Sequence, residues 1–359
     1  MEKLPSQRSS KPVAIWLLTG VAMIIIQVLL GGITRLTGSG LSITEWKPIM
    51  GVLPPLNGQE WNLAFDLYKE IAQYKYLNYH FDLGDFKFIF FWEWFHRLWA
   101  RLIGVVFLIP FIVFLFQRRF KKGMVKPMVI LFLLGALQGL AGWVMVQSGL
   151  DNSEALHVSH FSLAIHFILA MVLLCYVFWF ALDLLVPDNQ FTISSTLRTS
   201  AVWLIAVLIL QMIYGAFMAG LKAATAAPTW PSINGSWWPG NIHSFGSREF
   251  PGLTFITDNP LVVHFIHRNV AYLLVILIIA WSWKALKVQG TSFFNRTKSL
   301  PVIVILFQVL LGILTVLNAT NARMMLWLGA AHQFTAMLLL LLLIWFVYII
   351  RNKKYPAAN

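Results

Sequence analysis

Charge is scarce in this sequence. Lys, Arg, Asp and Glu make up 11% of the 359 residues, against about 25% in an ordinary soluble domain, which excludes a water-facing globule. Cysteine is scarcer still: Cys175 stands alone in the middle of an apolar run, so no disulfide framework staples the chain. Low-complexity tracts are missing too, which sets aside collagen-like and disordered classes. What is present is apolar: 58% of the residues are hydrophobic, gathered in blocks of about 20 that match a hydrocarbon core of roughly 30 Å at 1.5 Å per residue. Eight such blocks are read, at 13–33, 88–116, 125–146, 161–184, 200–219, 261–281, 300–317 and 325–350. The expected fold class is an all-α membrane protein with eight transmembrane helices.

Acidic residues are outnumbered, 14 to 27, for a net charge of +13. Position decides what this means. With the N-terminus in the cytoplasm, 16 of the basic residues fall on cytoplasmic segments, among them Lys3, Arg8, Lys11, the cluster Arg118–Arg119–Lys121–Lys122–Lys126, and Arg351, Lys353 and Lys354. That bias is the positive-inside rule, so the excess reports topology and not a nucleic-acid footprint. Both termini are expected in the cytoplasm. Lys3, Arg8 and Lys11 precede a full-length first span, as in a retained anchor, and a bacterial plasma membrane is the simplest address.

An internal repeat organises the chain. Each odd-numbered span carries a glutamine followed four residues later by a glycine: Gln27/Gly31, Gln138/Gly142, Gln211/Gly215 and Gln308/Gly312. The second and sixth spans share His-Arg-x-x-Ala at His96 and His267, and the fourth and eighth share Ala-x-His-x3-Ala-Met around His166 and His332. Spans 1–4 and 5–8 therefore read as copies, and four is even, so both copies enter the membrane in one orientation. The expected architecture is two parallel-repeat four-helix bundles, 1–190 and 191–359. The long outer loops, 34–87 and 221–260, are expected along the membrane surface, the first with a short helix around Glu60–Tyr76.

The four repeated histidines carry the chemistry. Ionisable groups inside a span are costly, and each is a functional hypothesis. His96, His166, His267 and His332 all fall roughly 8–12 Å below the outer boundary by helical rise, one on every even span. Two imidazoles from different helices of one bundle are what a bis-histidine haem requires. Zinc would want ligands converging at short spacings, and two separated pairs suit two porphyrins better. The glycines allow close backbone approach, and the glutamines should face the interior or a ligand edge. A lone histidine or Gly-xxx-small motif is more often ordinary packing; four copies in a duplicated frame shift the balance to a ligand.

Arg97 and Arg268 each follow a histidine inside a span. They are candidates for haem propionates, with snorkelling to the outer interface the plain alternative; Arg101 and Arg35 are weaker candidates of the same kind. The halves differ at one telling place. Glu93 precedes His96 by three residues, where the second half has His264. A partly buried carboxylate there suits proton transfer, with an ion pair to Arg97 four residues on as the structural alternative. His157 and His160 are expected at the interface.

Several of these segments together carry a resemblance. Gly31-Gly32-Ile33-Thr34-Arg35-Leu36-Thr37-Gly38-Ser39-Gly40-Leu41-Ser42-Ile43, Trp46-Lys47-Pro48, Pro54-Pro55, Glu93-Trp94-Phe95-His96-Arg97-Leu98-Trp99, Thr229-Trp230-Pro231, Phe265-Ile266-His267-Arg268 and His332-Gln333 resemble the haem A synthase family of cytochrome oxidase assembly, in its mitochondrial and proteobacterial-type branch. The resemblance implies oxidation of the C8 methyl of haem O to a formyl group through a hydroxymethyl intermediate, giving haem A. It implies that His96 and His166 flank the substrate haem, that His267 and His332 ligate a permanent haem b, and that Glu93 is the functional glutamate. It also makes haem O synthase a plausible partner and a homo-oligomer possible, with the electron acceptor unassigned. The cysteine pair that some relatives carry in the first outer loop is missing here. Two other classes stand beside this reading: a di-haem b-type electron carrier without substrate chemistry, and a parallel-repeat transporter with a histidine relay.

Overall fold

The structure is a computed structural model that describes residues 10–45, 50–150 and 155–352. Lys3, Arg8, Trp46, Lys47, Pro48, Lys353 and Lys354, named above, lie outside the described residues. Eight helices are long and apolar enough to cross a membrane, and the chain is a multi-pass, all-α membrane protein. In chain order the helices are α1 (Lys11–Leu36), α2 (Gly58–Lys69), α3 (Leu83–Phe116), α4 (Val125–Leu150), α5 (His160–Leu185), α6 (Ser195–Gly220), α7 (Ala223–Ala226), α8 (Phe255–Asp258), α9 (Pro260–Leu286), α10 (Ser292–Thr297), α11 (Leu300–Leu317) and α12 (Ala322–Ile349). The crossing helices are α1, α3, α4, α5, α6, α9, α11 (continuous with α10) and α12.

Several helices outrun the expected apolar blocks, because polar caps rather than hydropathy set their ends. Asp82 opens α3 with a capping box, its side chain accepting from Gly84 and Asp85 while Asp85 reaches back to the Asp82 amide. Two orphan amide sets are thus satisfied five residues before the apolar run begins. Ser194, Asn259 and Asn321 cap α6, α9 and α12 with side-chain oxygens that accept from the Leu197, Leu261 and Met324 amides.

In the first half, α1 packs on α3 and α5, and α4 packs on α5 and α3; in the second half, α6 packs on α9 and α12, and α11 packs on α12 and α9. The two sets meet through α5 on α6, α1 on α12, and α5 on α12. The main apolar core lies toward the face that carries both chain ends. Trp16, Leu17, Leu174, Ile278, Leu339 and Phe346 are buried there. On the opposite, loop-bearing face, α3 is at 34 residues about 51 Å long, well beyond a hydrocarbon core of roughly 30 Å. Its first turns pack Phe86, Ile89 and Phe90 against Phe65 and Tyr68 of α2, so α2 and the chain around it fold back as a cap on this face. The helix expected near Glu60–Tyr76 is α2 followed by a short π-turn at Tyr74–Asn78. Val105, Leu108 and Ile109 of α3 and Phe132, Leu133 and Leu140 of α4 are exposed, the pattern of a lipid-facing surface.

Two small sheets finish the fold. β1 (Thr192–Ile193) runs parallel to β4 (Ile350–Arg351), tying the linker before α6 to the end of α12. β2 (Ser244–Phe245) and β3 (Arg248–Glu249) form a hairpin in the second outer loop.

Candidate functional site

The four histidines sit in four repeats of one local arrangement. Gln27 of α1 meets His96 of α3, its Nε2 lying 3.2 Å from Nε2 of the ring and 3.2 Å from the His96 carbonyl. Gln138 of α4 stands likewise to His166 of α5, at 3.2 Å from Nδ1 and 3.1 Å from the carbonyl. Gln211 of α6 lies 3.3 Å from Nε2 of His267 on α9, and Gln308 of α11 lies 3.3 Å from Nε2 of His332 on α12. In every case the glycine one turn further along is the floor under the ring. A methyl group built on Gly31, Gly142, Gly215 or Gly312 would stand 3.1, 2.8, 3.3 or 3.0 Å from Cε1 of its histidine. Carbon atoms rest at about 3.5–4.0 Å, so a methyl at Gly142, Gly312 or Gly31 would press its ring out of place, while at Gly215 the shortfall is slight.

The donor set fits a haem iron. His267 and His332 face each other with ring centres 6.4 Å apart and planes at 71°. Two metal–imidazole bonds of about 2 Å each, with roughly 1 Å from each nitrogen to its ring centre, span about 6 Å. His332 Nδ1 lies 3.1 Å from the Gln308 carbonyl; donating there leaves the Nε2 lone pair for a metal, the usual outer-shell arrangement. His96 and His166 lie within electrostatic range of one another. All four glutamine Oε1 atoms are buried without a hydrogen-bond partner, which marks the surroundings of the rings as built for a further group. Among the described residues no group of three or more His, Cys, Asp or Glu side chains converges.

Glu93 is buried beside the first pair and fully engaged. Its Oε2 accepts from Ser42 Oγ at 2.7 Å and from the Ile43 amide at 2.9 Å, and its Oε1 is ion-paired to Arg97. Arg97 also donates to the Ile43 carbonyl at 3.2 Å. The i, i+4 pair therefore clasps the chain that leaves α1 onto α3. The second half has the same device with other chemistry. Arg268 donates to the carbonyls of Pro231 (2.8 Å), Ser232 (3.0 Å) and Thr229 (2.8 Å), and stands 3.0 Å from His264 Nε2. It holds the loop that leaves α6 onto α9. Both arginines thus grip protein groups: for Arg97 this is the Glu93 ion pair expected as the structural alternative, while the Arg268 contacts with loop carbonyls were in neither the propionate nor the snorkelling reading.

Three further contacts had no clear sequence signal. Ser42 belongs to a recognisable motif, but its bond to Glu93 spans 51 residues. Gln333, beside His332, crosses to the Val28 carbonyl of α1 at 3.3 Å, and Gly32 packs directly under its amide. Arg35 reaches the Gly220 carbonyl of α6 at 2.9 Å.

Comparison with known proteins now names the frame. Residues 14–344 match the family described as cytochrome oxidase assembly protein. The chain belongs to this family. A curated relative from Flavobacterium johnsoniae named "Heme A synthase" is 38% identical over 93% of this chain and 96% of its own length. Relatives of the same name from Rhodospirillum centenum and Beijerinckia indica are 38% and 40% identical, covering 98% and 93% of this chain and 91% and 92% of their own. Like these family members, the chain is matched along nearly its full length, so the histidine units and both clasps all lie within the shared region.

Proposed function

We propose that this chain is a haem A synthase, an oxidoreductase that converts the C8 methyl of haem O to a formyl group by way of a hydroxymethyl. The observation that carries the reading is the doubled histidine arrangement: two imidazole pairs, each ring seated on a Gln–Gly helix, with a buried glutamate beside one pair and a histidine in its place beside the other. The two sets of four helices are read as copies, 1–190 and 191–359. Supporting this, every helix contact in the first set has its counterpart in the second, and the α5–α6 contact has α12–α1 as its mate.

In this reading His96 and His166 hold the substrate haem O, and His267 and His332 hold a resident haem b. The iron–porphyrin groups supply the redox chemistry and a path for electrons. The chain supplies position. Glycine floors fix ring height, the Gln308 carbonyl fixes one tautomer, and Glu93 holds a carboxylate at a set place beside His96, where it accepts a proton or orients water. Arg97 and the Ser42–Ile43 turn keep that carboxylate from swinging away. This reading puts the protein in a bacterial plasma membrane with both termini cytoplasmic, taking haem O from a haem O synthase, with a homo-oligomer open and no nucleic acid as partner.

The test is to co-express the chain with a haem O synthase, purify it in detergent, and identify its extracted haems by chromatography and mass. Haem A or the hydroxymethyl form beside haem b is expected. Haem b alone, with haem O present in the membranes, would refute the synthase reading and leave a di-haem electron carrier.

A further inference from the structure

Arg97 and Arg268 grip protein groups, while Arg35 lies on the face of α1 that carries Gln27 and Gly31 at four-residue spacing. It stands on α1 one turn, about 6 Å, beyond Gly31, the floor under His96. Its Nη2 donates to the Gly220 carbonyl at the end of α6, while its Nε is buried with no hydrogen-bond partner. A buried guanidinium N–H left without an acceptor is costly, and the planar fork is shaped for an oxyanion. Two more basic groups gather there. Lys222 follows α6 in a left-handed conformation, φ 51°, and His157 precedes α5. Burial pushes the His157 imidazole down to about 4, and Arg35 and Lys222 push it the same way. Burial and the neighbouring Arg35 also lower Lys222. Among the described residues no carboxylate acts on any of the three. Asp258 is turned to His160 at 3.7 Å.

The two cations, Arg35 and Lys222, repel one another out of water and an anion relieves the repulsion, while the neutral His157 imidazole beside them keeps an N–H to donate. We propose that Arg35, flanked by Lys222 and His157, forms a carboxylate-binding subsite at the junction of the two halves, and that it takes a propionate of the tetrapyrrole held between His96 and His166. This rests on the assignment of that pair to the substrate. The propionate accepts from Arg35 Nε while Nη2 stays on Gly220, so no existing bond is broken. Because Gly220 and Lys222 belong to the second half, the subsite seats the substrate against both halves at once.

The experiment uses the full chain with its resident haem, titrated with iron protoporphyrin IX and, separately, with its dimethyl ester, and reads the absorption of the added haem. A charge-assisted hydrogen bond is worth about 1.5–3 kcal/mol, so the diacid should bind the native chain roughly 10- to 150-fold more tightly than the diester. Arg35→Gln and Lys222→Gln should each weaken diacid binding toward the diester level and leave diester binding unchanged. Weakening of both forms alike by Arg35→Gln, together with no effect of Lys222→Gln, would show that Arg35 only fastens α1 to α6 and overturn the proposal. Equal binding of the two forms to the native chain would overturn it too. In that case phospholipid retained by the native chain and lost from Arg35→Gln would identify a lipid phosphate as the anion. His96→Ala should abolish binding of both forms; binding that survives it would refute the histidine assignment itself, and the subsite with it.

Discussion

Replacing Gly142 by alanine isolates the glycine floor from every other feature of the site. The added methyl would stand 2.8 Å from His166 Cε1, short of the 3.5 Å onset of comfortable carbon contact by about 0.7 Å. The neighbour is a ring that must keep its height to ligate iron, and metal–ligand distances tolerate only about 0.2 Å. Overpacking of this kind costs about 1–3 kcal/mol, so haem affinity at this pair should fall roughly 5- to 150-fold. The helix itself changes in the opposite direction, since alanine in a helix interior is favoured over glycine by about 1 kcal/mol. The variant should therefore stay folded and helical while losing haem. Gly215→Ala is the matched control. Its methyl would stand 3.3 Å from His267 Cε1, a shortfall of about 0.2 Å, and it should keep its haem. The assay is haem stoichiometry and the low-spin absorption spectrum of each purified variant, with helicity by circular dichroism. Full haem retention by Gly142→Ala, or equal loss by Gly215→Ala, would refute the argument that the glycines set ligand height.

Glu93→Gln keeps an acceptor for Ser42 and Ile43 and should fold and bind haem while losing about 100-fold or more in haem A formation, the usual worth of a proton-transfer group. Glu93→Ala removes the buried carboxylate that holds Ser42, the Ile43 amide and Arg97 together, and should also destabilise the fold by about 3–5 kcal/mol in thermal or denaturant melts. His332→Ala should remove the resident haem b from extracts without preventing added haem from binding at His96 and His166. Arg268→Gln drops the carbonyls of Thr229, Pro231 and Ser232 and should open that loop to limited proteolysis at unchanged helicity. His157 titrates at about 4 in the fold, below its ordinary value of about 6.5. The unfolded chain therefore binds more protons in that interval, and stability falls as pH drops from about 6.5 to about 4. His157→Gln should flatten that dependence in detergent melts.

Much of this protein was legible along the chain because its constraints are local. Hydrocarbon thickness writes apolar runs of about 20 residues. One histidine on each of four helices, each facing a Gln–Gly pair on a neighbouring helix, recurs as His96, His166, His267 and His332 and is visible as a repeat along the chain. Even the Glu93–Arg97 ion pair follows from four-residue spacing on a helix. Helix ends were less legible, since Asp82, Asn259 and Asn321 set them by hydrogen bonding at the caps rather than by hydropathy.

What the tertiary structure alone decided is which groups those side chains spend their bonds on. Nothing within a few residues of Glu93 announces Ser42 and the Ile43 amide, and nothing near Arg268 announces the carbonyls of Thr229, Pro231 and Ser232. The sequence makes Arg35 a weaker propionate candidate but gives no sign that it reaches the Gly220 carbonyl at the end of α6. These pairings join residues 36 to 185 positions apart, and their partners are chiefly backbone carbonyls and amides, which every residue carries. A sequence can therefore write the need for a partner into a buried charge, but the identity of that partner is settled only where the loops cross the helices.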